Sequence, residues 1–263
     1  MSNTLSISKS FPNTLSKLNE AFFPFEGISI SILPLPRIDF PGSTRQCSVA
    51  SAINGKIYLG TGFDGDYKKD WWEYDPLSNT WTQKTDFGGS ARCFSVASAI
   101  NGKIYVGTGD DGGYKKDWWE YDPSNDTWTQ KTDFGGSARY GAVAAGTDGK
   151  IYVGTGTNGT LKKDWWQYDP SNDTWTQKTD FHASARLTSV ASSINGKIYV
   201  GTGYDVNYKK DWWEYDPLND TWTQKMDFGG LARRSAVSCA VNGKIYVGTG
   251  KDLTYKNDWW WQI

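Results

Sequence analysis

Histidine and cysteine are too few in this chain to form the usual catalytic or metal-binding combinations. The 263 residues include one histidine, His182, and three cysteines, Cys47, Cys93 and Cys239. One imidazole cannot form a His-rich metal site, and three thiols cannot complete a disulfide framework. Cys47 and Cys93 could come close in space, but we expect all three to be free, partly buried thiols. These residues predict no metal site and no cofactor.

Loop carboxylates are the other candidates for metal chemistry. Asp64, Asp66, Asp110, Asp111 and Asp205 lie in or near Gly-containing loops and carry the oxygen ligands that Ca²⁺ prefers. None of these loops has the dense Asp/Asn/Gly spacing of a dedicated calcium loop. We therefore interpret the five residues as solvated turn residues, with calcium binding as the alternative.

These residues are distributed over a unit that is copied five times. Gly-Lys-Ile-Tyr begins at Gly55 and recurs every 47 residues, at Gly102, Gly149, Gly196 and Gly243. A Trp-Trp pair keeps the same spacing, from Trp71-Trp72 to Trp259-Trp260, without insertion or deletion. A constant period of this length indicates an array of identical supersecondary units.

Each copy predicts four short antiparallel strands. In the second copy, segments 95–100 and 103–107 flank the turn Asn101-Gly102, which is a strong hairpin signal. Segments 117–122 and 127–131 follow, with an Asp-Pro turn between them, and no segment has a helical period. The unit is therefore a small meander.

Such a sheet cannot be stable alone, because Trp118 and Trp119 point to opposite faces and neither face is polar. Radial stacking of the copies would cover both faces, and each large ring would bury roughly 150–250 Å². The small Ser and Ala residues of the first strand suit a crowded central axis. The sequence predicts an all-β fold, a five-bladed β-propeller of four-stranded antiparallel blades.

The order of these motifs resembles the kelch repeat. Gly-Lys-Ile-Tyr-Val is followed by Tyr121-Asp-Pro and then by Trp128, seven residues after that tyrosine, and the pattern covers the chain from about residue 32 onward. The unit is particularly similar to bacterial kelch-propeller proteins, many of which are exported. One departure is Gly107-Thr-Gly109, where the family usually has a Gly-Gly pair.

The last copy stops in its third strand, so its fourth strand must come from another segment. Residues 32–40 stand in the fourth-strand register, and we expect segment 32–38 to complete the last blade against 257–263 and close the ring. This divides the chain into an N-terminal arm, residues 1–26, and a propeller, residues 27–263. The alternative is six blades with a degenerate one, which could use Phe22, Phe23 and Phe25.

Comparison of the copies separates the two ends of the predicted propeller. The Asn-Gly and Asp-Pro turns at one end barely vary, whereas the strand 2–3 loops and the strand 4–1 links at the other end differ in every copy. We predict that these variable positions converge around the channel mouth as a ligand-binding rim, with random drift as the alternative. The predicted rim residues are Gln46, Cys93, Tyr140, Leu187, Arg234, Phe94, Phe63, Asp110, Thr157, Tyr204, Lys251, Asp66, Asn207 and His182.

One arginine stands beside the rim in every copy: Arg45, Arg92, Arg139, Arg186 and Arg233. Because they never vary, we expect them to pair structurally with a repeated aspartate. Two sets fit, Asp39, Asp86, Asp133, Asp180 and Asp227, or Asp70, Asp117, Asp164, Asp211 and Asp258. The kelch resemblance carries neither copper radical oxidase nor sialidase activity here, since the oxidases need two His ligands and the sialidases need several arginines around one site.

We predict a non-enzymatic binding module that recognises a protein or a glycan through this rim. A carbohydrate-active hydrolase or lyase at the same mouth is the first alternative, with Asp110, Tyr140 and Asp205 as the nearest reactive groups. A structural or engineered repeat array without a ligand is the second.

Charge and hydropathy exclude other partners. A formal net charge of -1 offers no general attraction to nucleic acid, and no apolar run approaches the roughly 20 residues of a membrane helix. We therefore expect a monomer that neither binds nucleic acid nor inserts into a membrane. The first 25 residues lack the apolar core of a secretory signal, which favours the cytoplasm by default, whereas the kelch resemblance implies the cell surface or secretion.

Overall fold

Each copy of the repeat folds into one antiparallel sheet with its strands in sequence order. The computed structural model describes residues 37–262, and all of its strands lie within the unit Ile38–Ile263. The first sheet contains β1 (Val49–Ile53), β2 (Lys56–Gly60), β3 (Trp71–Asp75) and β4 (Thr80–Lys84), ordered β1-β2-β3-β4.

The next three sheets repeat this order. Their strands are β5 (Val96–Ile100), β6 (Lys103–Gly107), β7 (Trp118–Asp122), β8 (Thr127–Lys131), β9 (Val143–Thr147), β10 (Lys150–Gly154), β11 (Trp165–Asp169), β12 (Thr174–Lys178), β13 (Val190–Ile194), β14 (Lys197–Gly201), β15 (Trp212–Asp216) and β16 (Thr221–Lys225). The fifth sheet has three described strands, β17 (Val237–Val241), β18 (Lys244–Gly248) and β19 (Trp259–Gln262). The predicted five antiparallel blades are confirmed.

The Asn-Gly turns set the register of the first hairpin in each blade. Asn54 and Gly55 both have positive φ, 52° and 76°, as a two-residue type I′ turn requires. Val49 therefore faces Gly60 and Ile53 faces Lys56 across β1 and β2, and the corresponding residues pair in the other four blades.

The hydrophobic core lies between consecutive blades. We call the surface that a blade presents to the next blade its leading face, and the surface that accepts the previous blade its receiving face. Between the second and third blades, the leading face contributes Val96, Tyr105, Trp118 and Phe134, and the receiving face contributes Ile151, Val153 and Tyr168.

The two tryptophans of each pair serve opposite faces, as predicted. Trp118 is fully buried in the leading face, with its ring centroid 5.8 Å from that of Tyr168 and 5.1 Å from that of Trp175 in the next blade. Trp119 points the other way and packs edge-on against Phe87 of the preceding link, at 6.1 Å. The second, third and fourth sheets are therefore covered on both sides by their neighbours.

Among residues 37–262, the first and fifth blades do not pack against each other as consecutive blades do. No strand of the fifth blade contacts a strand of the first. Trp259 is 53% exposed, whereas its counterpart Trp212 is fully buried, and Ile57 is 39% exposed, whereas Ile104 is fully buried. Within the described residues, no blade packs against the leading face of the fifth blade or the receiving face of the first.

Several predictions about the N-terminal part fall outside the described residues. The strand expected at 32–38 is described only at its last two positions, and the domain boundary between residues 26 and 27 is not described. The degenerate sixth blade also falls there. These remain predictions.

A glycine at the end of each second strand allows the buried tryptophan to approach the backbone. A Cβ atom at Gly107 would lie 2.2 Å from Cε3 of Trp118 and 2.6 Å from the carbonyl oxygen of Asp117. Neither atom can move easily, because Trp118 is enclosed and the carbonyl belongs to the backbone.

We expect Gly107→Ala to destabilise the protein by about 1–3 kcal/mol or more, because the added methyl overpacks a closed core. The control is Gly113→Ala in the same blade, where the nearest atom would be 3.9 Å away and the expected change is within about 0.5 kcal/mol. Urea denaturation of both variants measures the difference. Equal stabilities would contradict the packing described here.

Candidate functional site

The variable residues next to the channel are held by their main chains. In every blade the residue after the repeated arginine exchanges two backbone hydrogen bonds with the residue after Gly-Thr-Gly, at N···O distances of 2.9–3.1 Å. The pairs are Gln46–Phe63, Cys93–Asp110, Tyr140–Thr157, Leu187–Tyr204 and Arg234–Lys251. Main-chain pairing makes few demands on side-chain type, so these positions can change without loss of the blade.

A second hydrogen-bonded chain runs from blade to blade around the mouth. The N–H of Phe94 donates to the carbonyl of Cys47 at 3.1 Å, and Gly141, Thr188 and Ser235 each donate to the preceding member of the series at 2.8–3.2 Å. All five residues have φ between 52° and 64°. This left-handed backbone turns each N–H toward the previous blade and ties the links together.

These links surround a cavity of about 710 Å³ at the end of the channel. Six predicted rim residues line it: Gln46, Phe94, Tyr140, Leu187, Arg234 and Lys251. Every blade contributes at least one of them, because the links and the strand 2–3 loops all reach the same end of the sheets. The expected convergence around the mouth is therefore present for these six, and their role in ligand binding stays a prediction.

The other predicted rim residues do not line this cavity. Cys93 and Thr157 are buried, and their main chains pair across the loop, so their place in a ligand-binding rim stays a prediction. Phe63, Asp66, Asp110, Tyr204 and Asn207 lie in the strand 2–3 loops, one step outside the links. His182 is also outside, with its ring 5.5 Å from that of Trp213.

Sequence comparison did not identify Tyr255, which also lines the cavity. Tyr255 stands where Tyr67, Tyr114 and Tyr208 stand in other copies. A search for differences between copies passes over a position that is nearly constant. The signal that could have identified this position is the tyrosine that recurs directly before the lysines.

Aromatic rings occupy one part of the mouth. Phe94 and Tyr140 come from neighbouring blades with ring centroids 5.6 Å apart, and Tyr114 lies 5.5 Å from Tyr140. Burial, the nearby Tyr114 and the Asp110 carboxylate raise the pKa of Tyr140. The Tyr140 hydroxyl therefore stays protonated at neutral pH.

Cations occupy the part of the mouth formed by the fifth blade. The Arg234 guanidinium lies 5.2 Å above the ring of Tyr204, and Lys251 Nζ lies 4.8 Å from the ring centroid of Tyr255. Lys256 also lines the cavity and pairs with Asp252 at 2.9 Å. Neither Arg234 nor Lys251 forms an ion pair with a described residue, so both charges are available to a ligand.

The repeated arginines have a structural role, as predicted, with the second of the two aspartate sets as partners. Arg92 donates from Nη1 to Asp117 Oδ1 at 2.5 Å and from Nη2 to Oδ2 at 2.7 Å. It also donates to the carbonyl oxygens of Thr108 and Ser90, at 3.0 Å each, and lies 5.0 Å from the ring of Phe87. The guanidinium thus joins the link to the strand 2–3 loop and is buried away from ligands.

The loop carboxylates are paired with lysines four residues later. The distances are 2.9 Å for Asp64–Lys68, 2.7 Å for Asp111–Lys115 and 2.7 Å for Asp205–Lys209. Within residues 37–262 no group of three or more His, Cys, Asp or Glu side chains could hold a metal ion. The prediction of turn residues fits these contacts better than a calcium site does.

Two of the three groups proposed for an enzyme have other partners. No hydrogen bond joins Asp110, Tyr140 and Asp205 in the part of the chain that the structure describes. Asp110 instead accepts the N–H of Gly112 at 2.9 Å, and Asp205 is occupied by Lys209.

The cysteines are unpaired, as expected. Burial is the main cause that raises the pKa of both Cys47 and Cys93 to about 11, so neither is a thiolate at neutral pH. The expectation of partial burial is wrong for Cys239, which is exposed.

Radially packed four-stranded meanders around a channel define a β-propeller. The family model described as the KLHDC2/KLHL20/DRC7 Kelch-repeats domain matches residues 29–183, and the chain belongs to this family of Kelch-repeat proteins. The described residues contain no helix that could cross a membrane.

Two further comparisons place the chain among known proteins. It is 45% identical over 51 residues to an N-acetylneuraminate epimerase from Pasteurella multocida (strain Pm70), a match that covers 17% of this chain and only 13% of that protein. A solved structure described as the structure of YjhT superimposes with a TM-score of 0.69 at 17% identity, covering 82% of this chain and 75% of that one. The second likeness establishes the fold alone.

The Arg–Asp pairs make the free energy of unfolding depend on pH in the acid range. Burial alone would raise the pKa of Asp117, but the Arg92 hydrogen bonds and charge outweigh it and hold that pKa below its usual value. A carboxyl group whose pKa is lower in the folded state than in the unfolded state stabilises the fold at pH values above its unfolded pKa of about 3.9. This contribution is lost as the pH falls below that value.

We expect the melting temperature to be nearly constant from about pH 7 to 5 and to fall below about pH 4. Asp117→Asn should lower it at neutral pH, with a shallower fall in acid, because one titrating pair is gone. Calorimetry across this range measures both slopes, with Asp66→Asn, an exposed loop residue, as the control. Parallel acid profiles for wild type and Asp117→Asn would contradict the assignment.

Proposed function

We propose that this chain is a non-catalytic Kelch-repeat module that binds an anionic carbohydrate at the channel mouth. The observation that carries the proposal is the composition of the cavity wall. The wall combines the aromatic rings of Phe94, Tyr140 and Tyr255 with the cations of Arg234, Lys251 and Lys256, and within residues 37–262 no carboxylate lines the cavity.

The size and chemistry of the cavity suit a small polar ligand. A volume of about 710 Å³ lies within the range of roughly 300–1,000 Å³ that is usual for small-ligand pockets. Tyrosine and phenylalanine rings can cover the apolar faces of a sugar ring. Arginine can form two parallel hydrogen bonds with a carboxylate, and a lysine can add a second charge.

The partial likeness to an N-acetylneuraminate epimerase agrees with this ligand class, since N-acetylneuraminate is a sugar that carries a carboxylate. The matched stretch of 51 residues is too short to indicate that this chain has the same activity. Among the described lining residues there is no carboxylate or histidine, and the pKa of Tyr140 is raised, so these residues supply no general base for neutral pH. Binding without catalysis is therefore the better proposal.

The test is an array of neutral and carboxylate-bearing glycans probed with the full chain, followed by titration of a retained glycan. We expect carboxylate-bearing glycans to be retained and Arg234→Ala/Lys251→Ala to weaken binding by about tenfold or more, because two charge-assisted contacts are lost.

A charge-matched control separates the site from general electrostatics. Lys116→Ala/Lys210→Ala removes two positive charges outside the cavity, from lysines 3.5 Å from Asp133 and Asp227, and should change affinity by less than about twofold. Equal losses in both double variants, or retention of acidic peptides but no glycan, would contradict the proposal.

A further inference from the structure

The strand 2–3 loop of the third blade is the one loop of the five that contains no carboxylate. It reads Thr157-Asn-Gly-Thr-Leu161, with an asparagine at the position that holds an aspartate in every other copy. Those aspartates are Asp64, Asp111, Asp205 and Asp252. The third blade therefore differs from the other four in the charge of this loop.

Two adjacent lysines of the third blade have no ion pair, unlike their counterparts. In the other four loops the aspartate lies 2.7–2.9 Å from the lysine four residues later. Within residues 37–262, Lys162 has no such partner, and Lys163 forms no ion pair either. The counterparts of Lys163 lie 3.5–3.9 Å from an aspartate of the following link: Lys69 from Asp86, Lys116 from Asp133 and Lys210 from Asp227. Lys162 and Lys163 thus carry two charges without a paired carboxylate.

Asn158 preserves the turn of the loop while it removes the charge. Its Oδ1 accepts the N–H of Thr160 at 3.3 Å, as Asp205 Oδ1 accepts the N–H of Asn207 at 3.2 Å. Its Nδ2 also donates to Ser137 Oγ at 3.2 Å, which joins the loop to the link before the blade. The exchange of aspartate for asparagine therefore changes the electrostatics of the loop and keeps the turn found in the other blades.

The unpaired lysines stand at the edge of the channel mouth. The carbonyl of Lys162 accepts the N–H of Arg186 at 3.1 Å, and Leu187, the next residue, lines the cavity. Lys256, which is the counterpart of Lys162 in the fifth blade, lines the cavity itself. Lys163 follows directly and is exposed. The mouth therefore has a second group of cations in the third blade, and the fourth blade separates it from the cations of the fifth.

The carboxylates closest in the chain do not compensate these two charges. Asp164 accepts hydrogen bonds from Arg139 at 2.6 and 2.7 Å and from Trp166 at 2.8 Å. Asp180 in the following link forms no ion pair with Lys163 in the part of the chain that the structure describes. An anionic group from outside the chain can therefore meet both lysines without displacing an internal partner.

We propose that the ligand of the mouth is an oligosaccharide with acid groups on more than one sugar. One acid group meets Arg234 and Lys251 in the fifth blade. A second meets Lys162 and Lys163 in the third. The inference rests on the proposed function, because it takes the channel mouth as the carbohydrate site. Two acid groups joined in one ligand make the second contact intramolecular, so affinity rises by more than the number of sugars alone would give.

Titration of N-acetylneuraminate and of its linear oligomers of two to five sugars into the full chain tests the second contact. We expect the best oligomer to bind at least about tenfold more tightly per sugar than the monomer. Asn158→Asp, which gives the third loop the carboxylate of the other four, should remove most of that gain and change monomer affinity by less than about twofold. Lys162→Gln/Lys163→Gln should do the same without adding a carboxylate.

The matched control is Lys115→Gln/Lys116→Gln in the second blade. It removes the same two charges, but these lysines pair with Asp111 at 2.7 Å and Asp133 at 3.5 Å, so the gain per sugar should change by less than about twofold. Equal loss of the gain in both double variants overturns the inference, because any two lysines would then suffice.

Failure of the second contact can be distinguished from failure of the proposed function. A monomer that binds and loses affinity in Arg234→Ala/Lys251→Ala, while oligomers gain nothing per sugar, leaves the mouth as the site and overturns the inference. Binding of neither monomer nor oligomer also overturns it, and the glycan array then decides the proposed function separately. Binding of poly-glutamate that depends on Lys162 and Lys163, with no gain for the oligomers, assigns the lysines to an acidic peptide and overturns the inference as well.

Discussion

The structure depends on burial of one tryptophan per blade beneath the next blade. Burying a ring of about 150–250 Å² is worth about 4–6 kcal/mol at roughly 25 cal/mol per Å². The indole N–H groups of Trp71, Trp118, Trp165 and Trp212 have no hydrogen-bond partner among the described residues, which costs about 1–3 kcal/mol each. Burial exceeds this cost, so each sheet is stable only when a neighbour supplies the cover.

That dependence explains why the scaffold tolerates so little change. The glycine at the end of the second strand makes room for the tryptophan, and the buried arginine joins link, loop and aspartate on the ring of a phenylalanine. Each of these residues meets several others, so a change in one would require compensating changes in its neighbours. The residues of the mouth are different, because their main chains hold them and their side chains face the cavity. Chemistry can therefore vary at the mouth without cost to the blades.

Much of the fold could be predicted because its signals are local and repeated. Asn54-Gly55 specifies a tight turn through its backbone preference, and the Trp-Trp pair requires cover on both faces of the sheet. The site was predictable only in part. Gln46, Phe94, Tyr140, Leu187, Arg234 and Lys251 do surround the cavity, but Cys93 and Thr157 are buried outside it and His182 lies beside Trp213. Side-chain direction at these positions follows from the left-handed links and loop pairings, which no pattern of residue types encodes.

By itself, the sequence determined the number of described blades, the strands within them and the end of the propeller where the copies differ. Those properties follow from periodicity and turn chemistry, which act over a few residues. Only the tertiary structure decided which aspartate each arginine binds and which variable side chains share one cavity. These depend on distances between residues far apart in the chain, and such distances are set when the blades pack against one another.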